Sequence, residues 1–154
     1  MAISHFFRTA AYALTALALS VGQAAADFAE RRSADDVATV MDRLQAAVEG
    51  AGATVFARVD HGAGAASVDL ELADAQLLIF GNPRLGTPAM QDDIRSGLVL
   101  PLRVLVYEDG AESVILWEPP VDMLADYTTS EGAEYLQRMT GALENLTEAA
   151  AGGS

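Results

Sequence analysis

Val37, Val40, Met41, Leu44 and Val48 recur at helical spacing, with small or polar residues between them. That spacing places five apolar side chains on one side of a helix, which Gly50 and Gly52 bring to an end. A helix that is apolar on one side only must cover a second layer, and this requirement constrains the fold more than any other feature of the chain. Ser33 and Asp36 stand ahead of the stripe at capping-box spacing, with Asp where the motif prefers Glu or Gln. The stretch from Asp27 to Arg32 before them is expected to form a short edge strand.

The second layer is supplied by strand-like runs. Thr54 to Val59 is rich in β-branched and aromatic residues and runs into Asp60, His61 and Gly62. Gln76 to Phe80 is an apolar run closed by Gly81, Asn82 and Pro83, the pattern of a buried central strand leading into a turn. Leu102 to Tyr107 and Ser113 to Trp117 flank a turn-rich connection suited to an antiparallel hairpin, and Pro119 and Pro120 end the second of them. Residues 63–72 stay open between two readings. Val68, Leu70 and Leu72 alternate with acids as a half-buried strand would, whereas the Ala-rich stretch from Ala63 to Ser67 suits a helical turn weakened by Gly64.

Thr87 followed by Pro88 predicts a helix start, with Met90 and Ile94 on the inner face and Gly97 closing it. A final helix is expected from near Ser130, with Leu136, Met139, Leu143 and Leu146 on one side, before a flexible tail over residues 150–154. Hairpins with helices at separate chain positions give an α+β domain, an antiparallel β-sheet with amphipathic helices packed on one face.

Residues 1–26 read as a cleavable signal peptide. Arg8 precedes an apolar run from Ala10 to Leu19, and Ala24, Ala25 and Ala26 offer small residues for cleavage near Ala26. The run is too short for a spanning helix, so no stable membrane anchor is expected, and the location is periplasmic or secreted. Residues 27–149 then form one domain, a length that buries a sizeable core. With no cysteine, neither a disulfide nor a lipid anchor at the cleavage site is available. The net charge of −13 argues against nucleic acid as a partner.

Beyond the signal segment His61 is the only histidine, which excludes zinc sites built from several imidazoles or thiolates within one chain. No Gly-x-Ser-x-Gly elbow occurs either. The candidate ligand-binding residues are His61, Asn82, Arg84, Thr87 and Arg103. A helix starting at Thr87 would turn its free amides toward Arg84, an arrangement suited to a carboxylate or another small anion. Arg103 lies in a strand where alternation aims it away from the core or toward that loop, unless Glu118 pairs with it. Tyr107 and Trp117 read as core or cross-strand partners, and His61 with Met90 offers a donor pair for copper or haem iron. No particular cofactor or metal is specified by these residues.

Asp60-His61, the Ala-rich stretch, Leu77-Leu-Ile-Phe-Gly-Asn-Pro83, Gly86-Thr87, Met90 and Leu100-Pro-Leu-Arg103 together resemble the family called domain of unknown function 302. The resemblance runs from about Ser33 to Pro119. It implies a curved antiparallel sheet with helices on one side, a helix near Ala63 to Val68, and room for a homodimer. Asp69 departs from the pattern, standing where such proteins tend to carry glycine. No activity follows from the resemblance. The residues favour a noncatalytic module binding a small ligand, an anion or a metal; a self-associating structural module and an enzyme using His61 as acid or base are the alternatives.

Overall fold

The computed structural model describes residues 28–152, so residues 1–27, on which the signal-peptide expectation falls, and the last two residues lie outside the described residues. β1 (Ala29–Ser33), α1 (Val37–Gly50), β2 (Thr54–Asp60), α2 (His61–Ala66), β3 (Ala75–Gly81), α3 (Pro83–Asp92), β4 (Leu102–Asp109), β5 (Glu112–Trp117), α4 (Pro120–Met123) and α5 (Glu134–Ala150) follow in order. The strands form one antiparallel sheet in the order β1-β5-β4-β3-β2, so β1 and β2 are its edges. This is the expected α+β architecture.

α1 buries the five residues of its stripe against the sheet. α5 adds Met139, Leu143 and Leu146 to the same core, which takes Leu78, Phe80, Val104, Val106, Ile115 and Trp117 from the inward-facing sheet positions. The edge strand β1 is held to this layer by Arg31, whose Nε donates to Thr147 Oγ1 at 3.1 Å while its guanidinium lies 6.0 Å from the Trp117 ring centre. Between β4 and β5 the connection is two residues, Gly110 and Ala111, and the φ of +69° at Gly110 suits the first position of such a turn.

Five boundaries differ from the sequence expectation, several because a side chain is engaged elsewhere. The N-cap of α1 is Asp36, whose carboxylate accepts from Thr39 N at 2.8 Å. Ser33 ends β1 and donates its hydroxyl to Ala151 O. α3 starts at Pro83 rather than Thr87, capped by Asn82, and Pro88 lies inside it. It ends at Asp92, so Ile94 opens a 3₁₀ turn (Ile94–Leu98) and is 77% exposed instead of sharing an inner face with Met90. Finally, α5 begins at Glu134 because Ser130 gives both its amide and its hydroxyl to Asp92. At the other end α5 runs through Ala150, which is fully buried.

Residues 63–72 resolve to helix and turn: α2 ends at Ala66, and Val68, Leu70 and Leu72 remain exposed in no strand. Asp69 carries φ +58°, the only left-handed backbone at a non-glycine among the described residues. The departure from the family pattern is therefore strained where glycine would not be. Asp69→Gly is expected to raise the free energy of unfolding by about 0.5–1 kcal/mol, the left-handed cost outweighing the added chain entropy. Urea titration of both proteins measures the difference.

Candidate functional site

Between β3 and the 3₁₀ turn, the chain forms an open, cleft-like cavity of about 280 Å³. Its walls are Phe56 from β2, Leu85 and Met90 from α3, Leu100 and Leu102 around the start of β4, and Met139 from α5. Each wall follows from a local rule. A bulge between Val55 and Ala57 leaves Phe56 unpaired on the edge strand. The Asn82 cap, accepting from Arg84 N at 2.9 Å, and Pro83 at the first helical position start α3 directly at the end of β3. Gly81 admits Phe56 and Pro101 close to the backbone, since a Cβ there would stand 3.3 Å from Pro101 Cβ and 3.4 Å from the Phe56 ring. Gly97 does the same for Met90, whose sulfur would lie 3.1 Å from an added Cβ.

The far end of α3 is tied down by two carboxylates. Asp92 accepts from Ser130 N at 2.8 Å, Ser130 Oγ at 2.6 Å and Tyr135 Oη at 2.8 Å. Asp93, only 8% exposed, accepts from the Arg95 guanidinium and from Thr128 N at 3.2 Å. These bonds fasten α3 to the segment leading into α5, and so fix the spacing of the cavity walls that Met90 and Met139 supply. The Ser130 hydroxyl holds the Asp92 carboxyl below its ordinary range, and the Arg95 guanidinium does so more strongly for Asp93. Burial, helped by the Asp92 bond, pushes the Tyr135 phenol up to about 12.

The structure divides the five candidate residues. Asn82 and Thr87 line the cavity. Arg84, next to them on α3, is exposed and has no ion-pair partner among the described residues. Arg103 sits opposite Ile79 on the sheet face away from α1 and α5, exposed and not paired with Glu118. His61 is at the other end of the β2–β3 ladder, since Asp60 pairs with Gln76 while Gly81 pairs with Thr54. About 17 Å of strand separates it from the Asn82 loop. His61 therefore joins neither Arg84 nor Met90, and a shared anion or copper site of these residues does not form. Asp60 instead caps α2, accepting from Ala63 N at 2.7 Å. Among the described residues no three His, Asp or Glu side chains cluster as a metal site would require.

Sequence reasoning pointed to polar groups around the Asn82 loop, whereas the cleft beside that loop is lined mainly by apolar side chains. Phe56 reads only as part of a strand and Met139 only as part of an apolar helix side, and Leu85, Asp92 and Asp93 drew no attention. Adjacent acids at a helix C-terminus oppose the helix dipole, and that conflict was the available sign of partners outside the helix.

Comparison with known proteins fits this architecture. The crystal structure of an uncharacterised conserved DUF302 protein from Bacillus stearothermophilus superposes with a TM-score of 0.65 at 14% identity, covering 82% of this chain and 96% of that one, a likeness of fold. The chain is 48% identical over 84 residues to the fluoride-specific ion channel FluC 1 of Brucella suis biovar 1 (strain 1330), covering 54% of this chain and 33% of that protein. FluC 1 of Brucella abortus biovar 1 (strain 9-941) matches at the same identity, with 31% of its length covered. The chain thus spans about a third of the length of these curated relatives. The model of the domain of unknown function DUF302 matches residues 29–146, and the chain belongs to that family.

Proposed function

We propose that the chain is an exported, noncatalytic module whose cavity takes up a small apolar ligand. The observation that carries this reading is the cavity itself: 280 Å³, walled by aliphatic, aromatic and thioether side chains, with Asn82 and Thr87 as its polar residues. Pockets of this kind gain affinity from burying apolar surface and orientation from a few polar groups. An anion would meet no guanidinium in the lining, because neither Arg84 nor Arg103 contributes to it. Catalysis by His61 has no support in the geometry, since the cavity lies at the other end of the β2–β3 ladder. Export is supported by Arg8, the apolar run from Ala10 to Leu19 and the small residues before Asp27.

The Brucella relatives support an accessory role beside ion transport. The segment they share with this chain makes up a third of each channel or less, and among the described residues no helix is long and apolar enough to cross a membrane. The cleft of this chain is suited to an apolar compound rather than to fluoride.

Met90→Trp fills the cavity with a larger side chain and is expected to weaken binding of the neutral probe N-phenyl-1-naphthylamine by about tenfold or more, through loss of buried apolar contact. Probe fluorescence titration measures the affinity, and native mass spectrometry of the unstripped protein reads any retained ligand. If the wild-type protein neither carries a small molecule nor binds the probe, the reading fails.

A further inference from the structure

The chain has no cysteine, so its only sulfur atoms are thioethers. Met41, Met90, Met123 and Met139 fall among the described residues, and the fold treats them unequally. Met41, Met139 and Met123 are 0, 1 and 7% exposed and belong to the core. Met90 is half-buried on α3, where it walls the open cleft. Met139 lines the same cleft, but the packing of α5 covers nearly all of it. Oxidation of a thioether follows access to its sulfur, and access here favours one residue.

The surroundings of that sulfur decide what oxidation would do. Gly97 stands against one side of it, so close that a Cβ there would lie 3.1 Å from the sulfur and 3.8 Å from Cγ. That side is closed. The open side is the cleft, whose other walls include Phe56, Leu85 and Leu100. Thr87 precedes Met90 by three residues on α3, hence on the same side of the helix, and also lines the cleft. An oxygen added to the sulfur therefore stands where an apolar ligand would sit, beside the Thr87 hydroxyl.

We infer that Met90 is a reversible oxidation site that turns ligand uptake off, an inference that rests on reading the cleft as a site for an apolar ligand. The oxidant is a hydroperoxide. With hydrogen peroxide, a lone pair of the Met90 sulfur attacks one oxygen, and an S–O bond forms as the O–O bond breaks. The leaving hydroxide takes the proton of the transferred hydroxyl and departs as water. Sulfur loses two electrons and the peroxide gains them. Reduction by a dithiol reverses the change, the oxygen leaving as water while the reductant closes to a disulfide. Between the two states a flexible apolar wall becomes a polar one. The sulfoxide oxygen holds water or the Thr87 hydroxyl, and an apolar ligand has to strip that hydrogen bond to enter.

The experiment exposes the purified protein to hydrogen peroxide, maps its peptides by mass spectrometry and titrates it in parallel with N-phenyl-1-naphthylamine. Met90 is expected to gain one oxygen at least about tenfold faster than Met41, Met123 or Met139. The dissociation constant of the probe is expected to rise about tenfold or more with it. Methionine sulfoxide reductases for both sulfoxide epimers, supplied with dithiothreitol, restore the mass and the affinity together. Met90→Leu, whatever its own affinity, keeps that affinity through the peroxide treatment. If the variant fails to fold, reductase rescue of the wild type decides the matter. Oxidation of a core methionine ahead of Met90 overturns the inference, as does a Met90 sulfoxide that binds the probe as tightly as the thioether. Both of those outcomes leave the apolar cleft standing, whereas a reduced wild type that binds no probe removes that reading and the switch with it.

Discussion

Replacing Phe80 by alanine is expected to lower the free energy of unfolding by about 3–5 kcal/mol. Phe80 is 2% exposed and sits where β3 meets both neighbours, paired with Leu102 on one side and Val55 on the other. Removing its ring forfeits the transfer free energy of that surface and leaves a void that a three-strand junction cannot close by shifting one element. Domains of this size are stable by about 5–15 kcal/mol, so a loss of this order is about a fifth of the total or more. With no cysteine in the chain, no cross-link holds the unfolded ensemble in check. Thermal melting should fall by about 10–20 °C. A loss below about 1 kcal/mol in urea titration would mean that the β3–α1 layer is not the main core.

The core was legible in the sequence because it is written in periodicity. The five residues of the α1 stripe are the ones α1 buries, and Leu78, Phe80, Val104 and Val106 follow from strand alternation once the strands are placed. Less legible were the element ends, where identical signals compete. Asn82-Pro83 and Thr87-Pro88 are both a capping residue followed by proline, and nothing local says which starts the helix. The first one does, because β3 ends at Gly81 and Asn82 can cap at once. Similarly, Val68, Leu70 and Leu72 carry the alternation of a strand, yet β2 takes the place beside β3 and the segment stays exposed in no strand.

The site was harder to read because it depends on register. Whether His61 meets the Asn82 loop is decided by which residues of β2 and β3 pair, and the antiparallel register puts them at opposite ends. The cavity adds a second difficulty, since its lining comes from five elements and is mostly of residue types indistinguishable from core. Phe56 and Met139 are separated by most of the domain in sequence, and only the packing of α3 between them shows that they face a common space.

Acidification should first raise the melting temperature and then lower it sharply. Between neutral pH and the isoelectric region near 4.2, protonation of surface carboxylates relieves the repulsion of a chain whose net charge is −13, and the compact state gains more than the expanded one. Below that, Asp92 and Asp93 decide the outcome. The Ser130 and Arg95 partners hold their folded-state ionisation below the ordinary 3.8, so the stability they contribute is present above that value and is lost as pH falls through the folded one. Asp93→Asn removes one of the two groups responsible, so its acid limb should be flatter, although the variant melts lower at neutral pH because the Arg95 fork loses a charged acceptor. Tyr135 gives the mirror-image limb. Its phenol is held neutral by burial up to about 12, so its contribution is complete below 10.0 and disappears as pH rises through the folded value. Melting curves collected from pH 2 to 12 on the wild type, Asp93→Asn and Tyr135→Phe separate these limbs. An acid limb identical in wild type and Asp93→Asn would show that the tether between α3 and the approach to α5 does not govern acid unfolding.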